Sequence, residues 1–151
     1  MFNKMIVAMV LLFALNCKSS QDQDKMVNED IVLIAKGNLY GAGEEGIVKK
    51  DSVILNENDW QELLIKMNRI NKVSNGFSET KIDFLKYSVI AIFDSVKSSG
   101  GHSLELDFNS NVENIEVIIN RKSPDGMAAT VMTQPYYIVK IPKTDLPIVF
   151  K

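Results

Sequence analysis

The residues Val89-Ile90-Ala91-Ile92-Phe93 form an unbroken apolar run near the middle of the chain. A strand with one face in water alternates apolar and polar side chains, whereas a strand covered on both faces is apolar throughout. The stretch from Phe84 to Phe93 is therefore predicted to contain a central strand that is buried on both faces.

Strand patterns recur on both sides of this run. Residues 31–40 and 47–55 form the first two apolar stretches, the second interrupted by charged residues. After the central strand, 102–108 and 115–121 alternate between apolar and polar residues, and 136–141 is a last strong strand. The turns between the later strands are short. Short turns predict antiparallel neighbours, because a parallel pair needs a long crossover.

One segment has the periodicity of a helix. Its apolar residues recur at the spacing of a single helix face: Trp60, Leu63, Leu64 and Met67. Asn56 or Asn58 can accept hydrogen bonds from the free N–H groups of the first turn. The predicted fold class is therefore α+β, with a curved, mainly antiparallel sheet of about six strands packed against a single amphipathic helix.

The start of the chain has the pattern of an export signal. The apolar run at 5–15 is shorter than the roughly 20 residues that cross a bilayer, and it has the size of a signal-peptide core. We predict that 1–16 is a lipoprotein signal peptide and that Cys17 is lipidated at a membrane of the bacterial cell envelope. Residues 17–30 would then form a flexible tether to one domain at 31–151. The alternative is an ordinary secretory signal that leaves a free thiol.

The composition argues against several partners and cofactors. The 17 Lys and Arg residues are balanced by 19 Asp and Glu residues, and nucleic-acid binding would require a basic stripe. Residues 41–46 spell G-x-G-x-x-G, but a strand follows instead of a helix and two glutamates would repel a phosphate. One histidine and one cysteine leave only carboxylates as metal ligands. We therefore predict no nucleic acid, nucleotide, metal or other cofactor.

His102 is the only histidine in the chain. A Ser-His-Asp set can be spelled from its sequence neighbours, which are Asp94, Ser98, Ser99 and Ser103. The members of a triad usually come from separate elements, so closeness within one loop does not predict a triad. We predict no catalytic residue and no enzymatic activity. The rival interpretation is a small envelope hydrolase that uses His102.

Two uncharged segments suit binding to another protein. The loop at 98–101 ends in two glycines, which allow backbone conformations that other residues resist. The segment 127–134 carries two methionines and small side chains, which can adapt to a partner. The alternative for this segment is a plain strand or loop within the core. The predicted partner-binding residues are Gly100, Gly101, Met127, Val131, Met132 and Gln134.

Four features together resemble the C-terminal domain of the PrcB family, small bacterial lipoproteins named after a component of a protease complex. They are residues 56–60 opening a helix, the strand that ends at Phe93, the glycine pair at 100–101 and the closing run at 132–142. The resemblance extends from about Ile31 to Phe150. The family's namesake stabilises a partner protease at the cell surface. The resemblance thus implies a non-catalytic accessory module that binds another envelope protein, such as a protease. A protease-inhibitor-like module is a further alternative.

Overall fold

The computed structural model describes residues 30–151. The predicted signal peptide, the lipidation of Cys17 and the tether up to residue 29 lie outside the described residues. No helix in 30–151 is long and apolar enough to span a bilayer. The elements are β1 Val32–Leu39, β2 Lys50–Ile54, α1 Glu57–Met67, a 3-10 turn Val73–Gly76, β3 Tyr87–Phe93, β4 Ser103–Ser110, β5 Ile115–Lys122, β6 Gln134–Pro142 and β7 Ile148–Phe150.

The strands form two sheets. The first contains four strands in the order β1-β6-β3-β2, and every neighbouring pair is antiparallel. In its centre, Val89 of β3 lies opposite Ile54 on one side and Lys140 on the other. The second sheet contains three strands in the order β4-β5-β7. Its β4–β5 hairpin is antiparallel, and β7 lies parallel to β5.

The four-stranded sheet is the middle of three layers. Val89, Ala91 and Phe93 face the helix side, where α1 and the segment after it cover the sheet. Ile90 and Ile92 face the opposite side and pack against apolar residues of β4 and β5. All five of these β3 residues are at most 2% exposed. The prediction of a central strand buried on both faces is confirmed.

Helix α1 begins and packs as its sequence predicts. The Asn56 side chain caps the first turn by accepting a hydrogen bond from the Asp59 N–H at 3.0 Å. The Trp60 indole N–H donates to the Thr80 carbonyl oxygen at 2.8 Å, so this polar atom is satisfied inside the core. Three residues of the predicted stripe are buried, namely Trp60, Leu64 and Met67. The fourth, Leu63, is half-buried.

The predicted α+β class is confirmed, but the strands are arranged differently from the prediction. Seven strands are divided between two sheets, where a single sheet of about six was predicted. The additional strand, β7, has only three residues and pairs with β5 in parallel. A three-residue segment is too short to show the alternation of apolar and polar residues that marks a strand. The connection from β5 to its parallel partner β7 is long, because it includes the whole of β6.

Candidate protein-binding site

The structure brings the two predicted binding segments together. The Gly100 N–H donates a hydrogen bond to the Ala129 carbonyl oxygen at 2.9 Å. Lys97 and Thr133 form an isolated antiparallel bridge, and the Thr133 hydroxyl donates to the Ser99 carbonyl oxygen at 2.8 Å. These contacts join the loop before β4 and the segment before β6 into one continuous surface.

The structure constrains both glycines, Gly101 more strongly than Gly100. Gly101 has a φ of +81°, and a Cβ atom there would lie 2.8 Å from Cβ of Pro124. A side chain at this position would therefore meet both backbone strain and a steric clash. A Cβ atom on Gly100 would lie 3.2 Å from Cγ1 of Val131. Gly100 thus lets the two segments approach closely, whereas Gly101 lets its loop approach Pro124 in the turn after β5.

Three large apolar side chains project from this surface. Met127 is fully exposed, Met132 is 47% exposed and Val131 is 38% exposed. We call these three residues the apolar patch. The alternative that this part of the chain lies in the core does not hold for them. No charged residue occurs in 127–134, so the patch is uncharged as well as apolar.

Two of the six predicted partner-binding residues are buried. Gly100 lies beneath Val131, and Gln134 is only 2% exposed. The Gln134 side-chain amide donates to the Ile47 carbonyl oxygen at 2.8 Å and to the Asp94 carbonyl oxygen at 3.0 Å. Gln134 therefore joins the loop before β2 to the loop after β3 and is not available to a partner, which corrects the prediction for this residue.

A cluster of charged residues lies beside the same loops. Asp94 follows β3 directly and is 3% exposed. Its Oδ2 is 2.9 Å from Nζ of Lys97, and its Oδ1 is 3.6 Å from Nε of Arg121 and 3.8 Å from Nζ of Lys49. We call these four residues the Asp94 cluster. Nη2 of Arg121 is also 3.7 Å from Oδ1 of Asp51 on β2.

The cluster keeps Asp94 ionised. Burial by itself acts to raise the pKa of the Asp94 carboxyl. The hydrogen bonds from Lys97 and from the Ser95 N–H, together with the charges of Lys97 and Arg121, outweigh that effect. The net result is a pKa below the usual range of an aspartate. The charged form of Asp94 therefore stabilises the junction between the two sheets.

His102 has one of the partners that a nucleophilic site would need. The Ser99 hydroxyl oxygen lies 3.1 Å from Nε2 of His102. In the described part of the chain, however, no carboxylate forms an ion pair with His102, and Asp94 is engaged by the cations around it. The His102 carbonyl oxygen accepts a hydrogen bond from the Asn38 side chain at 3.0 Å, which links β1 to the start of β4.

The glycine-rich loop at 41–46 leads into a strand, as predicted. Ala42, Gly43 and Gly46 all have positive φ values, and β2 follows the loop. Glu45 is 1% exposed, and within 30–151 neither of its carboxylate oxygens has a hydrogen-bond partner. Among the described residues, no group of three or more His, Cys, Asp or Glu side chains is placed to hold a metal ion.

The Asp94 cluster was not predicted from the sequence. Lys49, Lys97 and Arg121 belong to three separate parts of the fold, and only the packing of β5 against the four-stranded sheet brings them to one carboxylate. One signal was available, since Asp94 ends a continuous apolar strand and a carboxylate in such a position needs a charged partner.

Comparison with known proteins gave no match to a family model, a curated protein or a solved structure.

Proposed function

We propose that this protein is a non-catalytic accessory module, anchored by a lipid in the bacterial cell envelope, that binds another envelope protein such as a protease. The observation that supports binding is the apolar patch of Met127, Val131 and Met132, which is exposed beside the glycine pair. Exposed apolar patches mark interaction sites, and methionine side chains adapt to irregular partner surfaces. Because the segment is uncharged, covering it carries little desolvation cost.

The anchoring part of the proposal is supported by the export pattern at the start of the chain and by the resemblance to the PrcB family. Attachment through two or more acyl chains would be stable, since each buried CH₂ contributes about 0.8 kcal/mol. Intact-mass analysis of the native mature protein tests this directly. We expect an acylated Cys17, and Cys17→Ser should leave the precursor uncut or release a soluble form. An unmodified Cys17 would reject the anchor.

The proposal that the apolar patch binds a partner is tested with two variants, one in the patch and one at a matched apolar residue elsewhere on the surface. Met132→Asp places a carboxylate in the patch, whereas Val112→Asp makes a similar change at an 80% exposed residue in the turn between β4 and β5. This turn lies at the far end of β4 from the glycine pair. Each variant is used as bait for cross-linking in envelope fractions, followed by mass spectrometry.

We expect Met132→Asp to reduce capture of the partner at least tenfold while Val112→Asp captures it at the wild-type level. Circular dichroism and thermal melting must show that both variants are folded. A folded Met132→Asp variant that captures the same partners at full yield would contradict the proposed surface.

The contact between Ser99 and His102 is the one observation that favours the rival hydrolase. A Ser–His pair without an orienting acid is incomplete as a triad, and a real active site would lose its activity when either residue is replaced. Assays with generic ester and peptide substrates should therefore give the same background rate for the wild type, Ser99→Ala and His102→Ala. Hydrolysis that disappears in both variants would establish the rival.

A further inference from the structure

Two cations of the Asp94 cluster have unused hydrogen-bonding capacity. Within 30–151, neither Nζ of Lys49 nor the guanidinium of Arg121 makes a side-chain hydrogen bond. Their closest approaches to the carboxylates of Asp94 and Asp51 are 3.6–3.8 Å. The side chains are 54% and 34% exposed. An arginine carries five N–H donors in a planar fork that matches a carboxylate.

These two cations also point to one place. Nζ of Lys49 and Nε of Arg121 both lie within 3.8 Å of the same oxygen, Oδ1 of Asp94. They are therefore close enough together for one incoming carboxylate to contact both. The Asp94 cluster and the neighbouring Asp51 together contain three cations and two carboxylates, which leaves one net positive charge.

The cluster is continuous with the apolar patch. Lys97 forms its backbone bridge with Thr133, the residue that follows Met132 of the patch. A partner segment that covers Met132 would thus lie beside Lys97, the cation that shares Asp94 with Lys49 and Arg121.

We propose that Lys49 and Arg121 bind a carboxylate of the partner protein, so that the docking segment of this partner carries an acidic side chain next to the apolar residues that cover the patch. This inference rests on the proposed protein-binding function and specifies the chemistry of the partner. The cations would steer the partner and fix its orientation, while the patch supplies most of the buried area.

A protein carboxylate suits this geometry better than an anionic membrane does. Recognition of a membrane surface relies on clusters of about four to eight Lys or Arg residues. Here three cations are partly neutralised by two carboxylates, and Asp94 is buried among them. Such a site offers one directed binding position for a carboxylate and only a weak diffuse positive charge.

Two synthetic peptides provide the test. The first is acetyl-Gly-Leu-Glu-Gly-Leu-Glu-Gly-amide, and the second has Gln in place of both Glu residues. Each is titrated into the isotope-labelled mature protein and followed by NMR at low and at high salt. The variant Lys49→Gln removes one cation that has no hydrogen bond to lose. Lys81→Gln, an exposed lysine near the helix side of the fold, is the matched control.

We expect the acidic peptide to bind more tightly than the Gln peptide and to shift the amide signals of Lys97, Arg121 and Met132. Lys49→Gln should weaken the acidic peptide about threefold to fivefold, as for one partly exposed ion pair, and Lys81→Gln should leave it unchanged. High salt should remove the difference between the peptides, because it screens exposed charges.

Three results would overturn the inference. They are equal affinity of the two peptides or binding of neither, an unchanged affinity in Lys49→Gln, and Lys49-dependent binding to phosphatidylserine vesicles without a preference for the acidic peptide. The last result would assign the cations to a membrane. If Met132→Asp abolishes capture of the partner while the peptide test fails, the proposed function stands and only the acidic character of the partner is rejected.

Discussion

Two neighbouring residues of α1 offer a controlled test of the helix–sheet core. Leu64 is 7% exposed and Ile65 is 70% exposed. Replacing either residue with alanine removes three carbon atoms from the same helix, so the main difference between the two variants is the burial of those atoms. We expect Leu64→Ala to be strongly destabilising and Ile65→Ala to be close to neutral.

The magnitudes follow from these exposures. Three buried carbons contribute about 2.4 kcal/mol at roughly 0.8 kcal/mol each, and the residual cavity raises the cost of Leu64→Ala into the range of about 2–5 kcal/mol. At Ile65 less than a third of the side chain is covered, so the transfer cost is about 0.7 kcal/mol. Alanine regains about 0.4 kcal/mol of this through its higher helix propensity. The net cost of Ile65→Ala is therefore about 0.3 kcal/mol.

Urea denaturation measures both values. Trp60 is the only tryptophan and is fully buried beside this face, so its fluorescence reports unfolding, and far-UV circular dichroism provides an independent probe. The free energies of unfolding should differ by at least about 2 kcal/mol between the variants. Equal losses, or a larger loss for Ile65→Ala, would show that α1 presents a different face to the sheet.

Three further predictions concern the binding site and its supports. Gly101→Ala should lower the free energy of unfolding by at least about 1 kcal/mol in thermal melts, because Gly101 has a positive φ and its new Cβ would clash with Pro124. The control is Gly76→Ala, which should change this free energy by less than about 0.5 kcal/mol, because a Cβ there meets no atom within 4 Å. Gln134→Leu should cost about 2 kcal/mol in urea denaturation, since one buried and one partly buried carbonyl group lose their donor. A neutral effect would contradict its structural role. Asp94→Asn should be less stable than the wild type at neutral pH. The folded-state pKa of Asp94 is lowered, so its contribution is present above the unfolded pKa of about 3.9 and is lost as the pH falls through the folded value. The stability gap between the two proteins seen at about pH 6 should therefore narrow as the pH is lowered below about 3.9, and a gap of constant size would contradict this.

Only those features of the candidate site that depend on local sequence could be predicted. The uncharged methionine segment and the glycine pair were visible as sequence. Whether the segment lies at the surface or in the core was left open, and the structure places Met127 and Met132 at the surface. The burial of Gln134 was not visible, because a polar side chain next to an exposed segment looks like another surface residue. Only the carbonyl groups that fold around it, at Ile47 and Asp94, make the interior favourable.

The division of the strands between two sheets could have been inferred from the sequence, because the distribution of apolar residues along the strands requires a second layer. The apolar runs of β3 and β6 need cover on both faces, and one helix can cover only one face of a sheet. The clean alternation in β4, and the alternation in β5 that only Ile118 interrupts, indicate a single buried face for each strand, so these strands do not belong to the middle of the same sheet. Their apolar faces are the cover that the second face of β3 and β6 lacks, and Ile90, Ile92, Leu104 and Val117 meet in that layer. Antiparallel neighbours were predicted from short turns alone. Turn length indicates which strands pair within a sheet, but it does not indicate that two separate sheets pack against each other.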